Sequence, residues 1–211
     1  MVAGVGVTLA LSACGGGQNQ AASEPSGNFT VNVSTAKFPA SQKLAQHTHL
    51  VITVHNTGSK TIPDVAVTIC NVTCAYPARK GEGSSSQAFG ASIDQSDLAN
   101  PSRPLWVIDR GPGVCGYSCQ NGGQGAAVTA YANTWALGKL APGKTARFDW
   151  AVTAVKAGKH VVAWQVAAGL NGKAKAVLSN GSAPRGTFAV KVDTAPAQSY
   201  VNNNGQIVTS Q

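Results

Sequence analysis

His47-Thr-His-Leu-Val-Ile-Thr-Val-His55 alternates along its length. Successive side chains of a strand point to opposite faces, so Leu50, Ile52 and Val54 share one face. His47, His49, Val51, Thr53 and His55 take the other. Asn56-Thr-Gly58-Ser59 then reads as a turn, with Gly58 supplying a backbone angle other residues resist. The chain returns through Ile62-Pro-Asp-Val-Ala-Val-Thr-Ile69, with Val65, Val67 and Ile69 directed inward. Pro63 has no N–H to donate, which places it at a strand start or on an edge.

The same rhythm runs outward in both directions. Upstream, Phe29-Thr-Val-Asn-Val33 alternates. Downstream, Ala127–Leu137 reads as a strand with Tyr131, Asn133 and Trp135 on one face. Leu140-Ala-Pro-Gly-Lys144 is a Pro-Gly turn. Ala146, Phe148, Trp150 and Val152 form the apolar face of the next strand. After a turn at Ala157-Gly-Lys159 come Val162, Trp164 and Val166, a short strand around Ala176–Leu178, and finally Phe188, Val190 and Val192. No stretch has the period of an amphipathic helix. Short strands separated by Gly, Pro and Asn turns predict an all-β chain, an antiparallel β-sandwich.

Residues 71–125 break the rhythm and read as a long insertion. They are rich in Gly, Ser, Gln and Asn, and Pro104–Asp109 is the one strand-like piece. So long a loop inside a compact domain is uncommon. Cys70 and Cys74 stand at its start, Cys115 and Cys119 near its end. In an exported protein four such cysteines predict two disulfides, with three connectivities open. Cross-pairing would close loops of about 40 residues and remove more unfolded-state entropy than local pairing, so the reading leans to cross-pairing. The cysteine side chain at 70 follows core-facing Ile69 and is expected on the outer face of its sheet.

The N-terminus sets the expected location. Val2–Leu11 is apolar but shorter than the roughly 20 residues that span a bilayer. Leu11-Ser12-Ala13-Cys14 follows, then three glycines. This resembles the lipobox of bacterial lipoproteins. It implies a signal peptide over 1–13, lipid on Cys14, and a site of action on the outer face of the bacterial membrane. No Lys or Arg precedes Cys14, which fits a start codon assigned too late. Residues 14–28 read as a flexible tether, 29–192 as the sandwich, and 193–211 as a weakly ordered tail in which Tyr200–Ile207 forms a small hairpin.

Leu50-x-Ile-x-Val-x-Asn56-Thr-Gly58, Ile62-Pro-x-Val-x-Val, Leu140-x-Pro-Gly-x-Thr145-x-x-Phe-x-Trp and Gly158-x-His-x-Val-x-Trp164 resemble the immunoglobulin-like domains of bacterial surface proteins, the cell-adhesion-related or conserved-repeat group. The resemblance covers about 29–70 and 126–192 and leaves the insertion outside. It implies an immunoglobulin-like sandwich and a non-enzymatic role in display, adhesion or assembly. It carries over no catalytic residue.

Charge and side-chain chemistry narrow the function. The net charge is +8, yet only 11% of residues are charged. The basic residues are scattered and form no nucleic-acid stripe. A diffuse positive field suits anionic lipid or an acidic cell-wall polymer. His47 and His49 lie about 7 Å apart on one strand face, a spacing open to a transition metal, though a solvated outer face is the simpler account; His55 is too distant to share an ion. Asp94 and Asp97 are close enough to ligate calcium or flank a sugar bond, but the pattern more often belongs to a loop. No nucleophile elbow, zinc-protease motif or phosphate loop is present. No catalytic residue, metal ligand or cofactor is therefore assigned. Trp106, Tyr76, Tyr117, Arg79, Arg103 and Arg110 are the binding candidates, because Trp, Tyr and Arg dominate interface energetics. For Trp106 the reading leans to sealing the insertion onto the sandwich, with a contact surface as the alternative. The expected partner is a cell-wall polymer or another surface protein. The rival readings are an accessory subunit or enzyme with its site in the insertion, and a metal or small-ligand carrier.

Overall fold

The computed structural model describes residues 23–74, 88–90, 104–113, 127–128 and 133–209. Every regular element among them is a strand. In chain order these are β1 (Gly27–Lys37), β2 (Ser41–Leu44), β3 (His47–Asn56), β4 (Ala66–Asn71), β5 (Phe89–Gly90), β6 (Trp106–Arg110) and β7 (Ala127–Val128). They continue as β8 (Thr134–Ala136), β9 (Thr145–Ala154), β10 (Gly158–Ala167), β11 (Ala174–Val177), β12 (Arg185–Pro196), β13 (Ser199–Val201) and β14 (Ile207–Thr209).

Two six-stranded sheets share one core, in the orders β11-β1-β3-β9-β6-β5 and β2-β12-β10-β4-β8-β7. In an immunoglobulin domain strands A, B, E and D form one sheet and C, F and G the other. Here β1-β3-β9-β6 and β4-β10-β12 occupy those places, in the matching chain order. The fold is an immunoglobulin-like sandwich. It departs from the expected antiparallel arrangement because both sheets are mixed. β11 runs parallel to β1, β2 to β12, and β5 to β6. β11 matches the short strand expected around Ala176–Leu178, whereas β2 and β5 have no sequence signal, since two to four residues carry almost no period.

The alternation seen in sequence holds. Leu50, Ile52, Val54, Val67, Ile69, Phe148, Trp150, Val152 and Val162 are all fully buried. Each such side chain contributes about 1.5–3 kcal/mol when removed from water. Edge-to-face contacts link Phe38, Phe89, Trp106, Trp150 and Trp135 through the core. Asn56 is buried as well. Its amide Nδ2 donates to the carbonyls of Lys60 and Leu140, each at 2.9 Å, so it pins the end of β3 to the following loops. Gly58 serves by closeness to the backbone of Thr30 and does not have a positive φ. Gly143, in the Pro-Gly turn, does.

Several boundaries move. Ala127–Leu137 is not one strand: β7 and β8 pair antiparallel, and Asn133 stands just before β8 at φ 58°. β12 continues past Val192 to Pro196, held by its pairing with β2, and β13 with β14 forms the expected hairpin. The expected boundary at residue 28 moves upstream, because β1 starts at Gly27 and Glu24 is already hydrogen-bonded to Asn171 and Ala174.

The larger correction concerns the insertion. Its described parts are not outside the sandwich. Ala88, Phe89, Leu105 and Trp106 lie in the core at 0–3% exposure. β6 takes the place of strand D beside β9 and carries β5 on its other side. Low apolar content over 71–125 concealed this, because one five-residue strand and a few anchors suffice to complete a sheet.

Candidate binding surface

The outer face of the first sheet carries a cross-strand polar network on β3, β9 and β6. Register brings it together. His47 lies opposite Thr153, His49 opposite Ala151, and Val107 opposite Thr153 from the other side. A β-bulge at Asp109 shifts the register between Ile108 and Arg110. Strict alternation would turn Arg110 toward the core; the bulge sets it opposite Ala151, with Asp109 and Arg110 both exposed.

Two clusters result. The Thr153 hydroxyl donates to Asp109 Oδ2 at 2.7 Å, and His47 Nδ1 meets the same carboxylate oxygen at 3.1 Å and Thr153 Oγ1 at 2.8 Å. His49 Nδ1 reaches diagonally to Asp149 Oδ1 at 2.7 Å, while Arg147 donates to Oδ2 at 2.9 Å. Partial burial pulls the Asp149 carboxyl upward, but the hydrogen bonds and charges of His49 and Arg147 outweigh it and hold the group below its ordinary value. His55 is separate and contacts Thr145 Oγ1 at 3.0 Å.

This face can present fixed donors and acceptors to a partner. Thr153, His47 and Asp109 have the composition of a nucleophile relay but not its geometry. A relay uses both ring nitrogens of the histidine, one toward each partner. Here threonine and carboxylate meet the same Nδ1. The Nδ1 atoms of His47 and His49 are each taken by a carboxylate, and among the described residues no group of three or more His, Cys, Asp or Glu is arranged to hold a metal ion.

Of the binding candidates, Arg110 is exposed on this face. For Trp106 the sealing reading holds and the binding-contact alternative is corrected: it is 0% exposed, its indole donates to buried Gln42 Oε1 at 2.8 Å, and it packs on Phe38, Phe89 and His160. It seals β6 into the core and offers no contact surface. Tyr76, Arg79, Arg103 and Tyr117 lie outside the described residues, as do Cys14, Asp94, Asp97, Cys115 and Cys119. Sequence reading missed Asp109, Asp149 and Thr153. Alternation places each on an outer face, but only register shows which histidine each one meets.

Cys70 is bonded to Cys74, which overturns the lean to cross-pairing. The bridge lies on the outer face of the second sheet, as expected from Ile69, with Cys74 Sγ 3.7 Å from the carbonyl of Ala163. The turn it closes includes Val72 at φ 67°, held by its N–H to the carbonyl of Val161. That turn satisfies both cysteines locally, and no reach across the insertion is needed.

No protein-family model matches the chain, and no curated protein does. Solved structures similar to it include Escherichia coli alpha-2-macroglobulin from domain MG7 to the C-terminus (14% identity, TM-score 0.40, 82% of this chain and 18% of that one). A CARDB domain from Pyrococcus furiosus, solved in complex with di-metal ions, matches at 14% identity and TM-score 0.39 over 79% of this chain and 93% of that one. The ASH / PapD-like domain of human CEP192 matches at 11% identity and TM-score 0.34 over 91% and 100%. This chain thus spans about a fifth of the macroglobulin chain. Likenesses this distant carry nothing about ligand or activity.

Proposed function

We propose that this chain is a lipid-anchored, non-catalytic binding or assembly module on the outer face of a bacterial membrane. Its partner is a cell-wall polymer or another surface protein. The observation that carries the binding role is the network His47–Thr153–Asp109 and His49–Asp149–Arg147 on an open sheet face, adjoining Arg110 at the point where the insertion leaves β6. Side chains already held by hydrogen bonds lose little freedom on binding, and this preorganisation favours recognition. Loops on a rigid sandwich are the usual way such a fold acquires function, and Arg110 stands where one such loop begins. The lipobox around Cys14 supports the location.

Two experiments test the two halves. Cys14→Ser, expressed with a complete leader, is expected to release the protein or leave its precursor uncleaved. Normal processing and retention on the membrane refute the anchor. For the surface, the quadruple variant His49→Ala, Arg110→Ala, Arg147→Ala, Asp149→Ala removes groups on the outer face and leaves the core intact. Crosslinking in intact cells is expected to lose partners captured by the wild type. Undiminished capture of every partner by this folded variant places the contact elsewhere.

A further inference from the structure

The loop Gly169-Leu-Asn-Gly-Lys-Ala174 holds a carboxylate. Asn171 N–H donates to Glu24 Oε2 and Ala174 N–H to Oε1, each at 2.7 Å. The amides of Leu170 and Lys173 hydrogen-bond the same carboxyl. Four backbone donors from five consecutive residues thus converge on one anion, and Gly172 turns the loop at φ +75° to bring them round. Successive N–H groups arranged this way form an anion-binding concavity. The site is fitted to its occupant: a Cβ on Gly169 would collide with the Glu24 carboxyl. Just beyond it, Gly27 N–H donates to Lys173 O at 3.0 Å, and β1 pairs in parallel with β11 from Gly27 and Ala174 onward.

We propose that residues 170–174 form a carboxylate-binding nest whose resident ligand is Glu24, and that this latch sets the point where the N-terminal segment leaves the domain. A charge-assisted hydrogen bond is roughly twice as strong as a neutral one, so four of them hold a segment whose neighbours Ser23, Pro25 and Ser26 bring little apolar surface. The latch does not depend on lipid at Cys14. Where lipid is present, the span between anchor and domain counts from Cys14 to Glu24 and not to Asn28, which cuts its maximum extended length from about 50 Å to about 35 Å. An unlatched domain would stand farther from the membrane and orient more freely. The nest would then accept an acidic side chain or a chain terminus from outside.

Hydrogen exchange on the full-length protein at neutral pH tests this. In Glu24→Ala the amides of Leu170, Asn171, Lys173 and Ala174 are expected to exchange faster by on the order of tenfold or more, while the amides of β3, β9 and β10 are unchanged. Sodium acetate, at ionic strength matched with chloride, is expected to restore protection saturably by entering the vacated nest. Gly169→Ala leaves Glu24 in the chain but takes its place, so it gives the same loss by an independent route should Glu24→Ala fail to fold. Wild-type protection in both variants overturns the latch. Protection lost and not recovered with acetate overturns the carboxylate site, since Glu24 would then act only as local packing.

Discussion

Trp106→Ala is the substitution that most directly separates a core strand from a binding loop. The ring is fully buried and packs edge-to-face on Phe38, Phe89 and His160. Removing a buried tryptophan costs about 3–5 kcal/mol. It also strands Gln42 Oε1, whose partner it is at 2.8 Å, inside a residue that is 1% exposed. An orphaned buried acceptor adds about 1–3 kcal/mol. Against a total stability of about 5–15 kcal/mol, Trp106→Ala is expected to remove a third or more. At about 2–4 °C per kcal/mol for a chain of this size, the melting temperature should fall by about 10 °C or more. Trp106→Phe retains most of the packing and loses the hydrogen bond, so about 1–3 kcal/mol is expected. Adding Gln42→Leu to it removes the stranded acceptor and should recover part of that loss. A double-mutant cycle on Trp106 and Gln42, read by denaturant unfolding under oxidising conditions, should give a coupling of about 0.5–3 kcal/mol. Crosslinking by folded Trp106→Phe should match the wild type. A cost below about 1 kcal/mol for Trp106→Ala, or zero coupling, refutes the placement of β6 in the core.

The Cys70–Cys74 bridge closes a short loop, so replacing both cysteines with serine should cost only about 2 kcal/mol in the chain-entropy model; non-reducing peptide mapping that joins Cys70 or Cys74 to Cys115 or Cys119 contradicts the pairing. Val72 is β-branched with positive φ, so Val72→Asn should raise stability by about 0.5–1 kcal/mol, and a lower denaturation midpoint would count against that strain. The Asp149 carboxyl is held below its ordinary value, so its stabilisation is complete above the unfolded-state value and is lost as pH falls through the lower native value. Asp149→Asn should therefore flatten the acid limb of a stability–pH profile, and an unchanged limb refutes the assignment. Asp64 is the opposite case: burial raises its carboxyl, the Gly138 amide lowers it in part, and nearby Glu24 raises it further. Its ionised form costs stability above the ordinary carboxylate range, so Asp64→Asn should be neutral or stabilising at pH 7, and clear destabilisation there shows the charge is needed.

The sequence by itself determined the class of fold and most of the core. A strand's two-residue period is a local property, so Leu50, Ile52 and Val54, or Phe148, Trp150 and Val152, announce their buried face without knowledge of any partner. The same logic set Cys70 on the outer face of its sheet. It also set His47 and His49 on one face but was silent on Asp109, Asp149 and Thr153, because cross-strand register depends on chain segments up to 106 residues apart. Trp106 shows the limit most clearly. Its immediate neighbours Leu105, Val107 and Ile108 are apolar and strand-like, but the long polar stretches on either side of 104–109 give no sign of which strand it would join. Only the vacant place beside β9, and a buried Gln42 aimed at its indole, draw it into the core. Glu24 lies in a Ser- and Pro-containing linker with no periodic signal at all. Its ligands are backbone amides, which every residue but proline possesses, and no residue type in the sequence can announce where four of them will converge.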